Sequence, residues 1–165
     1  MERRTLWLSF LGAVLFLACL PVKYSLDELP AEQLYFGSGG GFTGATREFL
    51  LLRNGQVFRF ENGVNKKDTF ELEPLSRMDA RDVFHRLDTL RLHNYNFAFP
   101  GNMRNFIRET DAQTDYIIQW GDPRYEVRED VAQFFQDLNA LMDNRRVILD
   151  LKAEKPGAKK EKDPW

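Results

Sequence analysis

The sequence is poor in the residues that most often build covalent or metal-bound sites. It contains one cysteine, Cys19, and two histidines, His85 and His93. A single cysteine excludes a disulfide within the chain and leaves no thiolate set for a structural zinc ion. The two histidines lack the i, i+4 spacing of a metal site on a helix. The sequence therefore predicts neither a metal ion nor another cofactor.

Motifs for catalysis and nucleotide binding are missing as well. No G-x-S-x-G segment occurs anywhere in the chain. The glycine-rich run at 37–41 lacks the Lys-Ser/Thr end of a phosphate-binding loop, and the pattern after it predicts a strand instead of the required helix. The formal net charge of −2 disfavours binding to nucleic-acid phosphates. We therefore predict neither an enzyme nor a nucleic-acid partner.

A basic start followed by an apolar run occupies the N-terminus. Arg3 and Arg4 precede residues 5–20, which are apolar apart from one threonine and one serine, and Pro21 ends the run. This order is typical of a signal peptide or a membrane anchor, and the arginines predict a cytoplasmic N-terminus. We therefore expect residues 1–21 to form an N-terminal signal or anchor helix that exports the rest of the chain.

The way in which the exported chain is held leaves three alternatives open. The segment 16–19 is similar to a bacterial lipobox, in which the cysteine receives lipid, but Phe16 and Leu17 replace the usual leucine and small residue. The apolar run is slightly shorter than the roughly 20 residues of a spanning helix. No clean small-x-small cleavage site follows it. A lipid on Cys19 is favoured over a retained helical anchor, and that anchor over release; all three place the domain outside the cytoplasm.

Residues 33–151 predict a single α+β domain. Apolar or alternating segments between turn residues predict short strands, at 34–36, 42–53, 56–61, 69–72, 106–110, 116–120 and 147–151. Asn54-Gly55 predicts the turn of one hairpin, and residues 111–114 that of a second. The glycine-rich run at 37–41 predicts a flexible hairpin tip or a bulge.

Two amphipathic helices complete the predicted domain. One begins after the capping residue Ser76 and ends near Leu92, and the other covers about 128–144; each has one apolar stripe. The simplest arrangement is an antiparallel sheet of four to six strands with both helices packed on one face. Residues 22–32 predict a linker, and the lysine-rich residues 152–165 predict a disordered charged tail.

The candidate binding residues fall into two groups. In the glycine-rich loop, the small side chains would let the backbone of a partner come close; its members are Gly39, Gly40, Gly41 and Phe42. The second group lies in an aromatic loop and at the end of the second hairpin; its members are Tyr95, Phe97, Phe99, Trp120 and Asp122. Aromatic rings at loop ends are typical of contact surfaces. The competing interpretation, that these rings cover the core as an edge strand, is favoured.

Three of these segments together resemble a known group of proteins. They are YFGSGGGFTG at 35–44, FPGN at 99–102 and WGD at 120–122, with the Asn54-Gly55 hairpin between the first two. Their order and spacing resemble a family of small exported bacterial proteins, some of them regarded as lipoproteins. The resemblance covers roughly 33–142. It implies an envelope location and a bacterial source, and it implies no activity.

The sequence therefore favours a non-enzymatic binding or accessory protein of the cell envelope. Its partners would be the membrane, through the N-terminal segment, and a protein of the envelope. An alternative is an inhibitor of a secreted enzyme, which would insert the loop at 37–44 or at 95–102 into a cleft. A second alternative is a small enzyme without a recognisable motif, using groups such as His85, Asp122 or Tyr95.

Overall fold

The computed structural model describes residues 22–151, which form an eight-stranded sheet and two α-helices. In chain order the elements are β1 (Gln33–Gly40), β2 (Ala45–Leu51), β3 (Val57–Asn62), β4 (Lys67–Leu72), α1 (Arg77–Leu90), β5 (Ala98–Phe99), β6 (Met103–Thr110), β7 (Asp115–Trp120), α2 (Glu129–Met142) and β8 (Val147–Asp150). A short 3₁₀ turn, Leu92–Asn94, follows α1. The predicted anchor helix, the lipidation candidate Cys19 and the charged tail lie outside the described residues.

The strands are ordered β5-β7-β6-β1-β2-β3-β4-β8 across the sheet. All neighbouring pairs are antiparallel except β5 and β7, which run parallel. The predicted α+β class is confirmed, whereas the prediction of four to six antiparallel strands is wrong. Strand β5 has only two residues and no alternation of its own. It forms because the edge of β7 is free to pair, so that the Gln119 N–H donates to the Phe97 carbonyl at 3.0 Å.

The first hairpin turns at residues 41–44, not at 37–41 as predicted. Gly37 to Gly40 continue β1, which lies between β2 and β6. A Cβ atom on Gly37 would lie 2.2 Å from the Arg47 carbonyl oxygen, so the absence of a side chain lets these strands approach closely. The residue at the tip of the turn is therefore Phe42, whose side chain is fully exposed.

Both helices pack against one face of the sheet and form the main core with it. The predicted apolar stripe of α1 is buried: Ala80, Val83, Phe84, Leu87 and Leu90. Helix α2 buries Val131, Phe134, Leu138 and Met142. The predicted cap of α1 is also confirmed, because the Ser76 hydroxyl accepts a hydrogen bond from the Asp79 N–H at 3.1 Å and donates one to the Asp79 carboxylate at 2.8 Å.

The other face of the sheet is covered in part by residues 22–30. A smaller apolar cluster lies there, formed by the buried side chains of Leu50, Leu52 and Phe58. The residues that pack onto it from the N-terminal segment are Tyr24, Leu26 and Leu29. Residues 22–32, predicted as a linker, contain no helix or strand, yet this apolar packing attaches them to the domain.

The sheet has two ends, at which different turns and loops lie. At the leader end lie Val22, the Asn54-Gly55 turn between β2 and β3, and the start of α1. At the loop end lie the turn at 41–44, the loop at 100–102 and Gly121. The antiparallel register sets this division, since Gly40 pairs with Ala45 and Met103 at the loop end. Among residues 22–151, no helix has both the length and the apolar character needed to cross a membrane.

Candidate functional site

The three segments that the sequence singled out lie side by side at the loop end. The Gly41 N–H donates to the Asn102 carbonyl at 2.7 Å, which joins the turn at 41–44 to the loop at 100–102. A Cβ atom on Gly40 would lie 2.1 Å from that same carbonyl, and one on Gly121 would lie 2.0 Å from the Met103 carbonyl. Both glycines also have positive φ angles, of +117° and +151°. Glycine is therefore needed at both positions for the loops to meet.

Two apolar side chains project from this assembly of loops. Phe42 is fully exposed and Met103 is 58% exposed. Met103 lies beside the turn, because its Sδ atom is 3.1 Å from the position that a Cβ atom on Gly41 would take. The turn is closed by a hydrogen bond of 3.1 Å from the Gly44 N–H to the Gly41 carbonyl. We call Phe42 and Met103 the Phe42 tip, an apolar pair carried on a hydrogen-bonded backbone.

A charged cleft of about 460 Å³ adjoins the Phe42 tip, and Met103 forms part of its wall. Its charged side chains are paired. Arg47 Nε lies 3.5 Å from Glu61 Oε1, and Lys66 Nζ lies 2.5 Å from Asp68 Oδ2. The hydrogen bond to Asp68 raises the pKa of Lys66. Because the charges balance locally, the cleft matches a surface of mixed charge better than an ion of one sign.

Most rings of the predicted aromatic loop pack over the core. Tyr95 and Phe97 stack with their ring centroids 5.3 Å apart, and together with Trp120 they are partly buried against the main core. Phe99, in contrast, is 37% exposed and stacks on Tyr125 at 4.0 Å. The interpretation of these rings as a cover for the core therefore describes three of them. Phe99 continues the row outward, since its ring meets that of Phe97 edge to face at 4.9 Å and stacks on Tyr125 at the surface.

Asp122 has a structural role in the chain segment that follows β7. Its carboxylate accepts hydrogen bonds from Arg124 Nε at 3.0 Å, from Arg124 Nη2 at 2.6 Å and from the Arg124 backbone N–H at 3.0 Å. These hydrogen bonds lower the pKa of Asp122 to about 2. A carboxyl group with that pKa is ionised at neutral pH and has no proton to donate as a general acid.

Of the groups considered for a small enzyme, His85 and Asp122 line different cavities. His85 lines a shallow cavity together with Asp88 and Arg128. Asp122 lines a different one with Trp120. The Tyr95 hydroxyl is engaged, since it accepts a hydrogen bond of 3.0 Å from the Arg128 N–H. Within residues 22–151, no three His, Cys, Asp or Glu side chains are grouped so that they could hold a metal ion.

The charged cleft and Met103 were missed by reasoning from sequence. Arg47, Glu61 and Asp68 lie on β2, β3 and β4, where Arg47 faces Glu61 and Glu61 faces Asp68 as direct cross-strand neighbours. Residues of alternating charge near the ends of three consecutive predicted strands were an available signal. The register that brings them together is set by the turns between β2 and β3 and between β3 and β4.

Comparison with known proteins adds no relative to these observations. The sequence matches no protein-family model, and no curated protein matches it. The resemblance to small exported bacterial proteins therefore stays a prediction from the sequence. The structure defines an α+β domain. Glycines let three loops meet at its loop end, where the Phe42 tip is exposed beside a cleft whose acidic and basic side chains are paired.

Proposed function

We propose that the protein is a non-enzymatic binding or accessory module of the bacterial cell envelope, held at a membrane by its N-terminal segment. The observation that carries this proposal is the separation of the two ends of the sheet. Val22, where the chain enters from its apolar N-terminal run, is at the leader end, whereas the Phe42 tip projects from the loop end. A module attached at one end can present the other to a partner.

The length of the sheet supports this arrangement. Strand β1 runs from the leader end to the loop end and has eight residues. At a rise of about 3.3 Å per residue, it separates the two ends by roughly 26 Å. The Phe42 tip would therefore stand clear of a bilayer that holds the leader end.

The chemistry of the loop end favours a protein as the partner. Phe42 is a large apolar group whose exposure is complete, and its turn is already held by hydrogen bonds in the free protein. Such an anchor binds by entering an apolar pocket, with little ordering cost. The adjacent cleft, with its paired Arg47 and Glu61, would then lie against the polar rim of the partner's pocket, where charges of both signs can be matched.

Site-specific photo-crosslinking in bacterial cells tests the proposal. A photoreactive residue replaces Phe42 in the full chain, and a matched control carries the same residue at Ile117, an exposed apolar position on the open face of the sheet. We expect one discrete protein adduct from position 42 and none from position 117. Equal adduct patterns from the two positions would contradict the assignment of the loop end as the contact surface.

A second variant measures how much the contact depends on the ring. With the photoreactive residue moved to Met103, Phe42→Ser should reduce the adduct by roughly 30-fold, because truncation of a central anchor costs about 2 kcal/mol or more. Val64 is an exposed apolar residue in the turn between β3 and β4. Val64→Ser should leave the adduct within about twofold of the parent.

The same tip also supports the alternative of an inhibitor of a secreted enzyme. Its turn is short, and Gly41 is hydrogen-bonded both to Gly44 and to Asn102. A protruding loop that is held in this way suits insertion into a cleft, because less order has to be imposed on binding. The identity of the adduct separates the two functions. A secreted hydrolase that the parent inhibits and Phe42→Ser does not inhibit would favour the inhibitor; an envelope protein without such activity would favour the binding module.

A further inference from the structure

The chain is fixed to the sheet immediately where it enters the described domain. The Tyr24 N–H donates to Gln56 Oε1 at 2.9 Å, and Gln56 Nε2 donates to the Tyr24 carbonyl at 2.8 Å. The Asn54 side-chain amide donates to the Val22 carbonyl at 2.7 Å. The amide of Gln56 thus pairs with the backbone of Tyr24 as a neighbouring strand would. Val22 therefore has a defined position beside the turn between β2 and β3.

Lys23 adds an ionic contact to this attachment. Its Nζ atom lies 3.0 Å from Glu71 Oε2, and the Glu71 side chain is only 5% exposed. Glu71 Oε1 also accepts a hydrogen bond of 3.1 Å from Gln56 Nε2. A buried carboxylate that loses its partners destabilises the fold, so the loss of either contact to Glu71 is unfavourable. The segment that carries Lys23 therefore stays attached to the sheet.

The distance from Val22 to the apolar run is short. That run ends at Leu20, two residues before Val22. The two residues from Leu20 to Val22 span at most about 7 Å when fully extended, and the three residues from Cys19 to Val22 span at most about 10 Å. The polar headgroup layer of each leaflet is roughly 5–8 Å thick. An anchor of either kind, an apolar helix or a lipid on Cys19, therefore brings the leader end into contact with the headgroups.

The surface at this place has the composition that such contact requires. Val22 and Ile148 are 63% and 52% exposed, and they line one cavity of about 310 Å³ together with Lys23 and Arg77. Met78, which is 66% exposed, follows Arg77 in the first turn of α1. We call these five residues the Val22 patch. Apolar side chains interspersed with cations are typical of surfaces that lie in a bilayer interface.

The border of the Val22 patch is cationic as well. The Arg145 guanidinium donates to the carbonyls of Glu73 and Pro74 at 3.1 and 2.9 Å, and Pro74 lines the same cavity as Val22. Two acids lie nearby, and each is paired: Glu73 lies 3.3 Å from Arg146, which lowers the pKa of Glu73, and Glu71 is paired with Lys23. Arg77 and Arg145, whose guanidinium meets only carbonyls within residues 22–151, therefore carry the positive charge that is available to anionic lipid headgroups.

We propose that the Val22 patch lies against an anionic bilayer surface, with its apolar side chains among the headgroups and Arg77 at the lipid phosphates. The inference rests on the proposed function, since it needs the N-terminal segment to be held in a membrane. It adds an orientation: the sheet stands on its leader end, and the Phe42 tip points away from the bilayer.

Two exposed methionines at opposite ends of the domain provide the test. The full chain, labelled with ¹³C at its methionine methyl groups, is placed in lipid nanodiscs that contain phosphatidylglycerol and a gadolinium-chelating lipid. Met78 belongs to the Val22 patch, and Met103 belongs to the Phe42 tip. The NMR signal of the Met78 methyl group should be lost through paramagnetic broadening, while that of Met103 persists. Met78→Leu assigns the affected signal.

Charge-reversal variants test the electrostatic part of the same proposal. Arg77→Glu should restore part of the Met78 signal, because it places a negative charge among anionic phosphates. Arg104→Glu is the matched control, since Arg104 is an exposed cation at the loop end, and it should leave the Met78 signal lost. Discs of phosphatidylcholine alone should weaken the broadening in the parent.

The outcomes separate this inference from the function on which it rests. A chain that binds the discs but keeps a sharp Met78 signal overturns the inference and leaves the membrane-held module standing. Loss of the Met103 signal with retention of Met78 overturns the orientation in the same way. A chain that does not associate with the discs at all overturns both proposals.

Discussion

Gln56→Ala would test the attachment on which the orientation of the domain depends. Gln56 is 5% exposed and makes two hydrogen bonds to the Tyr24 backbone and one to the buried Glu71 carboxylate. The bond to the carboxylate is worth about 1.5–3 kcal/mol, and each neutral bond about 0.5–1.5 kcal/mol. Water can reach Tyr24 after the change, and the contributions are not additive. We therefore expect the free energy of unfolding to fall by about 2–4 kcal/mol.

The loss is measured by urea unfolding of the full chain in mild detergent, followed by tryptophan fluorescence. Gln113→Ala is the matched control, because Gln113 is exposed in the turn between β6 and β7 and is held there through its backbone N–H. That control should change the free energy of unfolding by no more than about 0.5 kcal/mol.

Proteolysis shows where the effect of Gln56→Ala occurs. Trypsin can cleave after Lys23 only when Tyr24 leaves Gln56, since both backbone groups of Tyr24 are hydrogen-bonded there. Each 1.4 kcal/mol of lost stability raises the population of the open form about tenfold, so cleavage at this bond should accelerate by at least about tenfold. An unfolding energy equal to that of the control, with an unchanged rate of cleavage, would refute the attachment and with it the argument for the Val22 patch.

Three further predictions concern the core and the loop end. Leu138→Ala should lower the free energy of unfolding by about 2–5 kcal/mol in urea titrations, because Leu138 is fully buried; a loss below about 1 kcal/mol would contradict the described core. Gly121→Ala should sharply reduce the folded fraction seen by circular dichroism, since its Cβ would lie 2.0 Å from a carbonyl oxygen, whereas Gly63→Ala, whose nearest contact is at 3.8 Å, should fold normally. Arg124→Ala should raise the pKa of Asp122 from about 2 towards its ordinary 3.8 in an NMR carboxyl titration. Because folding lowers this pKa, the ionised Asp122 stabilises the folded parent at pH values above the pKa of the unfolded state, and this stabilisation is lost as the pH falls towards about 2. An unchanged titration in the variant would argue against the ion pair.

Much of the secondary structure could be predicted because it depends on neighbours in sequence. The Ser76 cap and the apolar stripe of α1 involve residues within a few turns of one helix, and both occur as predicted. The Asn54-Gly55 turn also joins two antiparallel strands, β2 and β3, as expected, and of its two residues the glycine has a positive φ, of +91°. The β6–β7 hairpin likewise follows from two short apolar segments around a polar turn.

The predictions that failed depended on neighbours far away in sequence. The glycine-rich run at 37–41 looks like a turn locally, yet Gly37 to Gly40 belong to the interior strand β1, because β2 and β6 pair with them on both sides. Strand β5 exists only because β7 offers it an edge. Neither effect can be seen in a window of adjacent residues.

The candidate site divides in the same way. The sequence alone singled out the glycine-rich loop, the Pro100-Gly101 turn and the Trp120–Asp122 segment, because clusters of glycine and aromatic residues are distinctive in composition. Only the tertiary structure decided that these segments meet at one end, that Phe42 projects while Tyr95 and Phe97 cover the core, and that Val22 is fixed at the opposite end. The reason is physical: conformational preference is a property of single residues, whereas exposure and proximity are set by strand pairing across the whole sheet.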